Sequence, residues 1–157
     1  IPRGPAGGYT MPLPAEERMY HSKKQFLDEM SELYGGRAAE EIIFGKEYIT
    51  TGASSDIQRA TAIARYIVTQ IGMDEKFGPI LLDGTQDGDM FQRKYYSEQT
   101  GKEIDDEIRR LVKERYQKAI DILNENRNKL EEVTRVLLEK ETIMGPEFEA
   151  IMADKNI

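Results

Sequence analysis

Residues 50–65 read TTGASSDIQRATAIAR, and the segment runs on through Tyr66 to Gly72. It opens on small and polar residues and becomes a helical pattern within a few positions. Ile57, Ala60, Ala64, Ile67, Val68 and Ile71 fall on one face, and Gly72 is placed to end the helix. Such a one-sided helix must bury its stripe against other elements, which points to a mainly α protein. Ser54 or Ser55 is suited to cap it. Asp56 then sits in the first turn, where a negative charge favours the helix dipole. It also shares a row with Ala60, Ile63 and Ile67, at the border of the apolar face. From the pattern alone, Asp56 serves either the helix end or a ligand facing it.

Flanking segments extend the helical reading. Ser22 to Gln25, S-K-K-Q, is a capping box, and Phe26, Leu27, Met30, Leu33 and Tyr34 follow at helical spacing. Gly35 and Gly36 are expected to stop that helix, with a second short one over Arg37 to Phe44 before Gly45. Glu40 and Glu41 are adjacent and so point about 100° apart on a helix; spacing gives them no paired acid/base role, and both are expected to be solvated. Residues 72–96 are punctuated by Gly, Asp and Pro and read as a loop with one short strand near Ile80 to Leu82. The acidic group Asp83, Asp87 and Asp89 lacks the spacing of a calcium loop. A long helix is predicted from Ser97 to Glu125 with Ile104, Ile108, Leu111, Val112, Ala119, Ile122 and Leu123 inward. A break at Asn124 to Asn126 and a return helix marked by Leu130, Val133, Leu137 and Leu138 complete a long C-terminal αα-hairpin. Pro146 suits the start of a last short helix.

Residues 1–15, IPRGPAGGYTMPLPA, hold four of the six Pro and three Gly, which excludes helix. The GYTMPLP portion reads as a short edge strand or hairpin arm, because Pro12 and Pro14 cannot donate ladder hydrogen bonds. Such an edge can accept a peptide as an added strand. The opening residues carry neither an apolar signal core nor an initiator Met and read as the interior of a longer chain.

Composition narrows the function classes. The chain has 157 residues, 39% apolar and 32% charged, enough for a single domain with a core. It divides by pattern into 1–96 and 97–157. A net charge of −7 with dispersed Lys and Arg argues against a nucleic-acid groove or a polybasic membrane patch. No apolar run approaches the roughly 18–20 residues of a membrane span. There is one His, His21, and no Cys. A lone His, expected to be exposed, cannot build a hydrolytic zinc centre, which normally takes three protein ligands. These residues contain no complete catalytic constellation.

IPRGPAGGYTMPLP, GGRAAEEIIFG, TTGASSDIQRATAIAR, IGMDEKFGP and ENRNKLEEVTRVLLEKET, in that order, resemble the peptidase domain of FtsH-type proteases. The resemblance covers nearly the whole chain and is weakest between Leu81 and Tyr96. Members of that family are membrane-anchored, ATP-dependent zinc metalloproteases that degrade unfolded or tagged proteins. The resemblance implies that Asp56 is a zinc ligand, joined by two His of an H-E-x-x-H helix whose Glu is the general base. That motif would precede Ile1 and is not among these residues, so no catalytic residue is expected here. The chain alone is expected neither to bind zinc tightly nor to cut peptides.

By the same resemblance Glu40 or Glu41 orients a zinc-bound His, and Gly8, Tyr9, Thr10 and Met11 border the cleft and hold an extended polypeptide substrate by its backbone. ATP and magnesium belong to an upstream ATPase domain and anchoring to upstream spans. A hexameric ring is implied, at the cytoplasmic face of a bacterial inner membrane or in an organellar membrane. Two other readings stand beside this one. The first is a non-enzymatic helical assembly module, an inactive relative whose metal motif has decayed. The second is a small adaptor that binds peptides through its edge strand.

Overall fold

The computed structural model describes residues 20–83 and 96–153. Its elements are α1 (Lys23–Leu33), α2 (Gly35–Phe44), a 3-10 turn (Lys46–Tyr48), α3 (Ser54–Thr69), α4 (Glu98–Glu125), α5 (Arg127–Lys140) and α6 (Gly145–Ala153). The protein is mainly α, and no strand occurs among the described residues. The chain divides into two compact units, Tyr20–Ile122 and, in its described part, 123–153.

In the first unit α1 starts as the S-K-K-Q pattern dictates. The Ser22 hydroxyl accepts from the Gln25 amide at 3.3 Å, and the Gln25 side chain accepts from the Ser22 amide at 2.8 Å. Met30 and Tyr34 are buried, while Phe26, Leu27 and Leu33 are half-buried. The helix stops just before Gly35, as expected, but the second helix starts at Gly35 rather than at Arg37, so that only Tyr34 separates the two. Tyr34 keeps a right-handed backbone at φ −80°, ψ −8°, and its carbonyl accepts from Ala38 at 2.9 Å. Burial of the Tyr34 ring holds the junction tight enough for helical turns to resume at once.

Helix α3 lies against α1. Ala60, Ala64 and Ile67 are fully buried and Val68 almost so. Small residues on the α3 stripe suit a close approach of the two helices, and Met30 of α1 is fully buried. Fully burying Ile67 and Met30 stabilises by roughly 1.5–3 kcal/mol each. The helix ends at Thr69, with Gln70 as its C-cap, rather than at Gly72. The segment behind it folds back, so that the amides of Leu82 and Asp83 donate to the Thr69 carbonyl at 2.8 and 3.1 Å. This return corrects the strand expected at Ile80 to Leu82: Leu82 is buried, Ile80 and Leu81 are exposed, and the partner carbonyl is a helix end.

Helix α4 begins under Ser97, whose hydroxyl accepts from the Thr100 amide at 3.2 Å. Ile104, Ile108, Leu111 and Ala119 are buried as the periodicity predicts, but Ile122 is 41% exposed. The Tyr116 ring meets Tyr34 edge to face at 5.6 Å, which joins α4 to the α1–α2 junction.

In the second unit Asn126 alone separates α4 from α5, in keeping with the predicted break and return helix. Here α5 packs on α6. Lys129 is buried, donates to the Ile151 carbonyl at 2.6 Å and pairs with Glu132 at 3.5 Å. Lys140 adds an ion pair with Glu147 across the same two helices. Pro146 lies in the first turn of α6, where its missing amide costs nothing. Leu138, expected on an inner face, is 80% exposed.

Candidate metal centre

The turn that launches α3 is built on Thr50. Glu40, on α2, accepts from the Thr50 amide at 3.0 Å and from its hydroxyl at 2.6 Å. Arg37, one turn earlier on the same face of α2, donates through Nη1 to the Thr50 carbonyl at 3.0 Å. The Thr50 hydroxyl oxygen also accepts from the Gly52 amide at 3.2 Å. The Ser54 amide then donates to the Thr51 carbonyl, and the Ile57 amide to the Ala53 carbonyl.

This arrangement corrects the expected serine cap. Ala53 is the N-cap, with no side-chain cap bond, and Ser54 and Ser55 are the first two helical residues. Ala53 is buried at 6% exposure. The grip of α2 on Thr50 and the burial of Ala53 decide where the helix begins, so a local hydroxyl is not needed.

Asp56 is the third residue of α3. An acidic residue at this position can reach back to the N-cap amide, but no such bond forms. Its side chain is half-buried and has no hydrogen-bond or ion-pair partner among the described residues. A carboxylate so placed keeps its oxygens available to something facing the helix. In chemistry it suits zinc, which takes carboxylate oxygens at roughly 2.0–2.2 Å.

Both expected solvated glutamates are half-buried and engaged, for different reasons. Glu40 serves the turn before Asp56. Its hydrogen bonds from Thr50, side chain first and then backbone, hold its pKa below the ordinary carboxylate value, with the Arg37 charge adding to the effect. Glu41 faces the other way: it accepts from the Tyr116 hydroxyl at 2.5 Å and lies 3.5 Å from Lys46. The Tyr116 bond is the main cause of its lowered pKa. Tyr116 itself is pushed up to about 12, by burial first and by Glu41 second. Glu41 therefore ties α2 to α4, and only Glu40 of the two is wired to the Asp56 turn.

His21 is exposed, as expected, and its ring packs on Phe26 at 5.5 Å. Gly8, Tyr9, Thr10 and Met11, the expected substrate edge, lie outside the described residues. Among the described residues no three His, Cys, Asp or Glu side chains gather as a metal site. Asp56 thus fits as one donor, and the described residues do not supply the rest of a zinc coordination sphere. Arg37 and Thr50 were missed by sequence reasoning. The signal that marked them is slight: Arg37 lies three residues before Glu40 on one helix face, and Thr50 opens a T-T-G turn.

Residues 1–151 match Peptidase family M41, and the chain belongs to that family. Among its relatives, ATP-dependent zinc metalloprotease FtsH 3 of Symbiobacterium thermophilum is 50% identical over 97% of this chain and 25% of its own length. ATP-dependent zinc metalloprotease FtsH of Bacillus subtilis is 48% identical over 91% of this chain and 23% of its own. FtsH 1 of Thermoanaerobacter sp., bearing the same description, is 45% identical over the whole chain and 26% of its own length. The chain thus spans about a quarter of the length of these relatives.

Proposed function

We propose that these residues are the C-terminal part of an ATP-dependent zinc metalloendopeptidase in which Asp56 is the third metal ligand. The observation that carries the reading is the half-buried Asp56 carboxylate, left without a partner among the described residues at the rigid start of α3. Two His and a general-base Glu, on an H-E-x-x-H helix N-terminal to these residues, complete the set. Zinc, when bound, supplies Lewis-acid polarisation for amide hydrolysis. The part played by this chain is to hold a carboxylate oxygen in place. Glu40 or Glu41 orients a zinc-bound His; Glu40 also holds Thr50 ahead of Asp56, and Glu41 ties α2 to α4 through Tyr116.

The substrates are polypeptides, unfolded or tagged. ATP and magnesium act in a domain upstream, and the working form is a hexameric ring. No described helix is long and apolar enough to cross a membrane; anchoring belongs to spans N-terminal to this region, in a bacterial inner membrane or an organellar one.

The test is the zinc content of the protein lengthened at its N-terminus through the histidine motif, beside its Asp56→Ala variant. About one zinc per chain in the first and a large loss in the second is expected. Equal zinc in both would return Asp56 to a helix-end role. No zinc in either would favour a non-enzymatic assembly module.

A further inference from the structure

Resting on the reading of Asp56 as a metal ligand, we infer that Arg37, Glu40 and Thr50 form a clamp that sets the position of Asp56, with Arg37 and Thr50 as positioning residues. Three side-chain hydrogen bonds from one face of α2 converge on Thr50, taking its amide, its carbonyl and its hydroxyl. No other polar side chain is needed to immobilise that residue. Between Thr50 and α3 the turn is closed by the Gly52 amide on the Thr50 hydroxyl at 3.2 Å and the Ser54 amide on the Thr51 carbonyl at 3.1 Å. A side chain at Gly52 would meet the Thr50 hydroxyl at 3.3 Å and Glu40 at 4.0 Å, so the turn is seated directly on the clamp. Movement of Thr50 therefore passes to the first turn of α3, and with it to Asp56.

The need for such a clamp is physical. Metal sites require donors held within about 0.5 Å of their working positions. A polar turn ahead of a helix would otherwise lose its freedom when metal binds, and that entropy would weaken affinity. Glu40 has both oxygens committed to Thr50, and Arg37 offsets its charge, so the pair acts on the metal through the backbone.

The measurement is zinc affinity, by competition with a zinc-binding dye, in the protein lengthened through the histidine motif. Thr50→Val removes the hydroxyl but keeps the shape, Thr50→Ser keeps the hydroxyl, and Arg37→Met removes the carbonyl donor. Thermal melts are recorded in parallel. Thr50→Val and Arg37→Met are each expected to weaken zinc roughly ten-fold, and Thr50→Ser to restore wild-type affinity. Arg37→Met carries the test if Thr50→Val does not fold. A lowered melting temperature with unchanged zinc affinity would make the clamp merely structural and overturn the inference. If Asp56→Ala loses zinc while the clamp variants keep it, the inference fails and the ligand reading stands. If Asp56→Ala itself keeps zinc, both fall.

Discussion

Gly72 shows how much one residue can be asked to do. Its φ is +60°, a region where side chains are strained, and a Cβ there would lie 2.7 Å from Pro79 Cα and 3.1 Å from its carbonyl carbon. Both are backbone atoms and cannot swing away. The close approach lets the chain return so that Leu82 and Asp83 satisfy the Thr69 carbonyl at the end of α3. Gly72→Ala is expected to destabilise the protein by about 1–3 kcal/mol, read as a lowered thermal midpoint. A melt matching wild type would contradict the account. The residue stood out in the sequence, but as a helix stop. Its actual task, a contact with a residue seven positions on, is not encoded in local propensity.

At the scale of elements, α4 is joined to the segment behind α3 by two buried carboxyls. Asp74 is 3% exposed and Glu107 8%. One Asp74 oxygen accepts from the amides of Lys76 and Phe77 at 3.0 and 3.2 Å, and its carboxyl is influenced by that of Glu107. Arg110 grips Glu107 through Nε at 2.9 and 3.0 Å and through Nη2. Burial, and then Glu107, pushes Asp74 above its ordinary value; Arg110 is the main cause that holds Glu107 below. Of the two carboxyls, Asp74 is the one whose surroundings favour the protonated form. Nearby, Lys76 pairs with Glu103 at 3.4 Å, and Arg110 also reaches Glu114 at 2.6 Å.

The raised Asp74 contributes stability that is present below its unfolded pKa and lost as pH rises through its raised value. The depressed Glu107 contributes stability present above its unfolded pKa and lost as pH falls through its lowered one. Stability is greatest between the two. Asp74→Asn offers Glu107 an amide donor that does not titrate, and keeps an oxygen for the two backbone amides. It is expected to gain about 1 kcal/mol relative to wild type at pH 8, with the gain vanishing near pH 4. Urea denaturation at both values checks this, and parallel pH profiles for the two proteins would refute it. Periodicity found the apolar face of α4 because apolar residues declare it. It passed over Glu107, since a charged residue on that face is buried only when a partner from elsewhere arrives.

For the molecule as a whole, zinc chemistry needs more donors than the described residues bring together. The 157 residues by themselves are expected to hold well below one zinc per chain after dialysis, and to leave unfolded substrate uncut. Elemental analysis beside a proteolysis assay measures both, and stoichiometric zinc or cleavage would refute the expectation. The two units are each held by their own contacts, α3 on α1 in the first and α6 on α5 in the second. The second has no fully buried large apolar side chain among its described residues, and its two helices are linked by Lys129 on the Ile151 carbonyl and by the Lys140–Glu147 ion pair.

What the sequence determined by itself is what depends on neighbours in the chain. The Ser22 capping box, the stripes of α1, α3 and α4, the break at Asn126 and the place of Asp56 in a first turn all follow from spacings of three and four residues. Tertiary structure decided what depends on distant partners. It made Ala53 rather than a serine the start of α3, sent Glu40 to Thr50 and Glu41 to Tyr116, and buried Glu107 beside Asp74. Each of those choices weighs burial and a hydrogen bond across elements against a local alternative of about 1 kcal/mol. Contacts of that size override local preference, and only the assembled fold states which of them are made.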